Sequence, residues 1–177
     1  METMSFQDHF PGNVCFGCGP ANNCEASFHL KSYWLPDRSG TWCRLEKTHA
    51  CHTGATAEFM HGGNIFTMMD CHAIWTAIAA RYEFEKREFA CRPFIWYVTG
   101  TAQIVRYIKP VPMSAVLEVK GRITCMRKRK CYVVVEFFAN GMLCALGRFI
   151  AVRAKFSDET LENLAKPQKT LDTQTIS

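Results

Sequence analysis

The sequence lacks most of what would take it out of the class of single globular domains. No internal repeat, Pro/Gly/Ser-rich linker or low-complexity run interrupts its 177 residues. One domain is therefore expected over residues 1–156, with a polar tail at 157–177, and a chain of this length can bury most of its apolar side chains. There is no long Lys/Arg stripe, and the formal net charge is only +5. That balance admits an anionic ligand without calling for nucleic acid. The N-terminal "METMSFQDHFPGN" has acidic residues and no apolar run, so it does not read as a secretory signal. Residues 60–80 approach the ~20 apolar residues that span a bilayer. They contain Asn64, Asp70 and His72, however, and the sequence has no second such segment. Polar groups at that depth argue against a span. A cytoplasmic protein without membrane contact is expected.

Cysteine is abundant, with ten residues. In a chain read as cytosolic these are expected to be reduced, and Cys71, Cys125, Cys131 and Cys144 sit inside apolar runs as core thiols would. What is missing is a second Cys pair. Cys15-x-x-Cys18, with Cys24 nearby, is half of a zinc spacing, and only Cys51-His52 brought close could complete it. The sequence therefore predicts no metal site and no organic cofactor.

The stretch "MHGGNIFTMMDCHAIWTAIAA" at 60–80 is apolar almost all the way round. Gly62-Gly63 opens it, and Phe66, Met69, Ala73, Ile74 and Ala77 form one wide stripe. Ile65, Met68, Trp75 and Ala79 cover much of the rest. A helix apolar on nearly every side is a buried one, so this is the expected central helix. Around it the period changes to two: segments 25–34, 40–48, 94–108, 115–126, 131–139 and 142–154 alternate and are rich in Val, Ile, Phe and Tyr. Short turns separate most of them, and Asn140-Gly141 is a strong hairpin signal. The expected fold is α+β: one long helix packed on an antiparallel sheet of five or six strands. After it, Ser157 is positioned to cap a short helix with Asp158 and Glu159 in its first turn, followed by disorder.

Three motifs give this pattern a family likeness. "CFGCGPANN" near the N-terminus, "HGGNIFTMMD" opening the helix and "YVTGTAQIVRYIKPVP" on the next strand resemble the hotdog-fold acyl-CoA thioesterases, in particular the PaaI-like branch. The likeness covers roughly residues 13 to 155. It implies that His61-Gly62-Gly63 polarises a thioester carbonyl at a helix N-terminus, where free N–H groups favour an oxyanion. It also implies that Asp70 is the catalytic carboxylate, either general base or nucleophile. Thr99 and Thr101, flanking Gly100, would orient the attacking water. Ala55 stands near the place where the family often carries an Asn or Gln that faces the carbonyl. The acyl group would lie near Phe66, Ile74, Trp96 and Tyr97, and Arg127 and Lys128 of the "RKRK" turn would meet the phosphates of coenzyme A. The implied substrate is a small or medium acyl-CoA.

Helix geometry adds a constraint. Gly62 and Asp70 are separated by about 12 Å of helix at ~1.5 Å per residue. One thioester carbon cannot sit ~3 Å from both, so two groups acting on it must come from different subunits. A homodimer or homotetramer is expected. Each residue also has a plainer reading. Asp70 can be a structural carboxylate, His61 a helix cap, and "RKRK" a solvated turn. His72, about 200° around the helix from Asp70, reads as a satisfied core or interface histidine. On the same fold, a non-catalytic acyl-CoA sensor and a hydratase or dehydratase remain the alternatives.

Overall fold

The computed structural model describes residues 4–167, with backbone alone at 103–105. Its centre is helix α1, Gly62–Phe84. Six strands surround it: β1 Ser32–Trp34, β2 Thr41–Leu45, β3 Tyr97–Tyr107, β4 Leu117–Met126, β5 Lys130–Ala139 and β6 Met142–Arg153. They form one antiparallel sheet in the order β1-β2-β4-β5-β6-β3. This is the hotdog arrangement, a long helix wrapped by a curved sheet.

The alternation that marked the strands is what seats the helix. Along β5, Cys131, Val133, Val135, Phe137 and Ala139 are buried while the residues between them are not. That face meets α1. The opposite side of the helix is covered by the N-terminal segment. There Phe10 packs against Trp75 with ring centroids 5.7 Å apart and against Trp96 at 5.2 Å. A helix covered on both sides needs apolar residues nearly all round, which is why no narrow stripe marks it. Asn140 and Gly141 both take positive φ, 49° and 76°, as the tight β5–β6 hairpin requires. Ser157 accepts the Thr160 N–H at 3.2 Å and caps α2, Asp158–Leu164. The disorder expected beyond that helix lies at 168–177, outside the described residues. No helix among the described residues is long and apolar enough to cross a membrane.

Three local expectations need correction. The alternating segment 25–34 yields only the short β1. His29 takes a left-handed conformation, φ 45°, and Leu30 donates its N–H to Gly17 O at 3.1 Å. Residues 25–31 therefore pack as a loop over the "CFGCG" turn instead of pairing with β2. Second, the short connection between β3 and β4 does not join sheet neighbours. It crosses the end of the barrel-like sheet, tied down by Met60 N–H to Val111 O and Met113 N–H to Glu58 O. Third, Cys125 is exposed. A register shift between Ile123 and Cys125 breaks the alternation before it, as a bulge does.

Candidate active site

The helix N-terminus is built by two glycines and a histidine. His61 Nδ1 accepts the Gly63 N–H at 3.0 Å, satisfying one of the donors a helix start leaves open. A Cβ on Gly63 would come within 2.9 Å of the His61 ring, so glycine is what lets this cap close. The Tyr107 hydroxyl donates to Gly62 O at 2.9 Å. Among the described residues no acceptor takes the Gly62 N–H. Gly62 and Tyr107 border a cavity of about 340 Å³.

Asp70 lies more than two turns further along and lines a different cavity, of about 390 Å³. It is half-buried, and its one hydrogen bond among the described residues comes from Thr99 Oγ1, 2.5 Å from Oδ1. Burial pushes the carboxyl pKa up, the Thr99 hydrogen bond opposes this, and negative charge at nearby Cys15 adds to the rise. Gly100 explains how Thr99 gets there. The β3–β6 register shifts between Thr99 and Thr101, and a Cβ on Gly100 would collide with Val152. Bulges of this kind re-aim a side chain beside a site.

Ile74, Trp96 and Tyr97, expected against an acyl group, share the Asp70 cavity with Trp75 and Thr99. Phe66 does not line it; its ring packs on Phe149 at 5.7 Å. Thr101 does not line it either. Arg127 and Lys128 are exposed on the β4–β5 turn, which Arg81 anchors. Arg81 Nη2 donates to Arg127 O and, at 3.4 Å, to Lys128 O, while its Nε donates to Tyr97 Oη at 2.8 Å. The basic turn is thus tied to a residue of the cavity wall.

The sequence reading did not assemble one feature of this cavity. Cys15, Cys18 and Cys71 all border it, and their three sulfurs lie within 4.8 Å of one another. Cys15 and Cys71 Sγ are 3.7 Å apart. Hydrogen bonds from the Cys18 and Cys71 thiols hold the Cys15 thiol well below the ordinary thiol range, and the same bonds push Cys18 and Cys71 up.

The sheet around a long helix, with a half-buried carboxylate facing an apolar cavity, is the architecture of the hotdog class. The chain belongs to one family within it, the thioesterase superfamily, whose sequence model matches residues 57–145. Among solved structures, it is similar to a thioesterase superfamily protein from Shewanella loihica PV-4. The two are 28% identical with a TM-score of 0.57, covering 77% of this chain and 97% of that one. The PaaI protein of the E. coli phenylacetic acid degradation operon shares the fold at 11% identity and a TM-score of 0.59, over 78% of this chain and 88% of that one. A hypothetical thioesterase protein from Streptococcus pneumoniae TIGR4, in a structure with coenzyme A, shares it at 16% identity and 0.53, over 66% and 82%. No curated protein matches the sequence.

Proposed function

We propose that the protein hydrolyses a small or medium acyl-CoA at a site completed across two subunits. The observation that carries this reading is Asp70, a carboxylate held, among the described residues, by Thr99 alone at the wall of a cavity of about 390 Å³. Superfamily membership supports the reaction class, and the coenzyme A in the pneumococcal relative supports the substrate class. As general base, Asp70 takes a proton from water as the water oxygen adds to the thioester carbon, and passes that proton to the coenzyme A sulfur as the C–S bond breaks. As nucleophile, its carboxylate attacks that carbon, coenzyme A leaves as the thiolate, and water then hydrolyses the mixed anhydride to regenerate Asp70. The acyl group rests against Ile74, Trp96 and Tyr97, and the coenzyme A phosphates meet Arg127 and Lys128.

The developing oxyanion needs N–H donors that Asp70's own subunit does not place there, because Gly62 and Asp70 border separate cavities about 12 Å apart along the helix. The helix N-terminus of a second subunit supplies them. Strand β3 ends the sheet with its outer edge unpaired among the described residues. Val98, Tyr107 and Ile108 are exposed on and just beyond it. A long edge with apolar side chains is a pairing surface.

The test mixes the pure protein with a panel of acyl-CoAs and a thiol reagent, with light scattering at micromolar concentration alongside. Release of free coenzyme A by a dimer or tetramer is expected. A stable, active monomer removes the cross-subunit site. One observation favours a second reading, a non-catalytic acyl-CoA binder: the His61 ring already fills the Gly63 N–H. Tight binding without release would decide for it.

A further inference from the structure

We propose that Cys15, Cys18 and Cys71 form a three-thiolate site for a thiophilic divalent cation of the zinc class, with its fourth coordination position open to the Asp70 cavity. The proposal stands on geometry and is independent of the reaction assigned above. Sulfurs bound at ~2.3 Å around a tetrahedral ion lie about 3.8 Å from one another. Here Cys15 and Cys71 Sγ stand 3.7 Å apart and no pair exceeds 4.8 Å. An ion is therefore accommodated by side-chain adjustment of about 1 Å, without moving the backbone.

The surroundings are arranged for sulfur as an anionic ligand. Thiols are weak acceptors, yet donors converge on these sulfurs. Trp75 Nε1–H points at Cys18 Sγ from 3.1 Å inside the core. Asn13 Nδ2–H points at the same sulfur from 4.0 Å. Outer-shell N–H donors of this kind hold metal–thiolate ligands in orientation. The Cys15-Phe16-Gly17-Cys18-Gly19 turn is closed by Gly19 N–H to Cys15 O at 2.7 Å. A Cβ on Gly17 would collide with Cys71 Sγ, so glycine at that position lets the turn approach α1 closely enough to add the third sulfur. The spacing rule for zinc looks for a second Cys pair. A single thiol on a helix completes this set instead, and three protein ligands with one open position is the pattern of an accessible zinc site.

Binding exchanges the thiol protons for the cation and releases them to solvent. The test is titration of the reduced, metal-free full-length protein with Co²⁺ followed by Zn²⁺. We expect one Co²⁺ per chain, with a thiolate-to-metal charge-transfer band and intense visible d–d bands, both abolished by one equivalent of Zn²⁺. Cys15→Ser, at an exposed position, should weaken binding at least ~10²-fold, beyond the ~10–100-fold typical of losing an outer-shell partner. Cys71→Ser should do the same, and Cys51→Ser, exposed and outside the cluster, should change nothing. Three results overturn the proposal: no thiolate band in the wild-type protein, Cys15→Ser binding Co²⁺ as tightly as wild type, or recovery of Cys15 and Cys71 as a disulfide with no bound metal from protein handled under reductant with Zn²⁺ present.

Discussion

Asp70 and His72 are two positions apart on α1 and point to opposite sides of it, and their surroundings differ in kind. His72 is fully buried. Its Nδ1 meets Ser32 Oγ at 2.9 Å and its Nε2 meets Thr41 Oγ1 at 3.1 Å. Ser32 Oγ in turn accepts from Gln7 Nε2, and Thr41 Oγ1 reaches Thr76 Oγ1. Every polar atom of that cluster has a partner, and burial drives the His72 pKa down to about 4, so the ring is neutral. The Asp70 carboxylate has one hydrogen bond among the described residues, a cavity beside it and three sulfurs bordering that cavity. A polar group inside an apolar helix is thus not evidence of chemistry. What separates the two residues is whether the protein has satisfied the group or left it facing open space.

Exchanging the two residues' chemistry one at a time should break the protein in different ways. Asp70→Asn keeps size and the Thr99 contact while removing the charge, and should lower kcat by ~10²-fold or more, the range for losing a general base. Its folded pKa is raised above the unfolded value, so the carboxyl's favourable contribution exists below the unfolded pKa and is lost as pH rises through the folded one. At pH 7 the charged form is held at a cost, and the neutral isostere should melt at the same temperature or higher. Reduced thermal stability with turnover nearly preserved would instead make Asp70 structural. His72→Ala should do the reverse. It leaves a cavity and takes one hydrogen-bond partner from each of the Ser32 and Thr41 hydroxyls, for a loss of about 3 kcal/mol in denaturant unfolding. Turnover per folded molecule should stay within ~3-fold.

The same contrast shows what could be read beforehand. The helix was legible because burial on both sides demands apolar residues all round, and β3 to β6 because period-two alternation survives wherever one face packs on that helix. His72 could be placed opposite Asp70 from helix periodicity alone. The rest depended on contacts distant in sequence. Phe66 looked like an acyl contact by its place on α1, but the sheet claims it through Phe149. Which of Thr99 and Thr101 reaches Asp70 depends on a bulge at Gly100, and a bulge shifts facing without leaving a periodic mark. Cys71 read as a core thiol because only the fold of the N-terminal segment brings Cys15 and Cys18 against it.

The smallest expected effect sharpens the comparison without touching the site. His72 has a folded pKa depressed to about 4, below the ordinary value of 6.5. The stability it contributes is therefore fully present above the unfolded pKa. It is lost as pH falls through the window between the two values, because there the unfolded chain binds the proton and the folded one does not. The melting temperature of the metal-free wild type should fall as pH is lowered from 7 toward 5. His72→Gln has no titrating ring and keeps groups able to meet Ser32 and Thr41, so it should start lower at pH 7 and show a flatter slope across that window. A slope in His72→Gln equal to that of the wild type would show that the ring is not held neutral in the core. The closed side of α1 would then be no better satisfied than the open one.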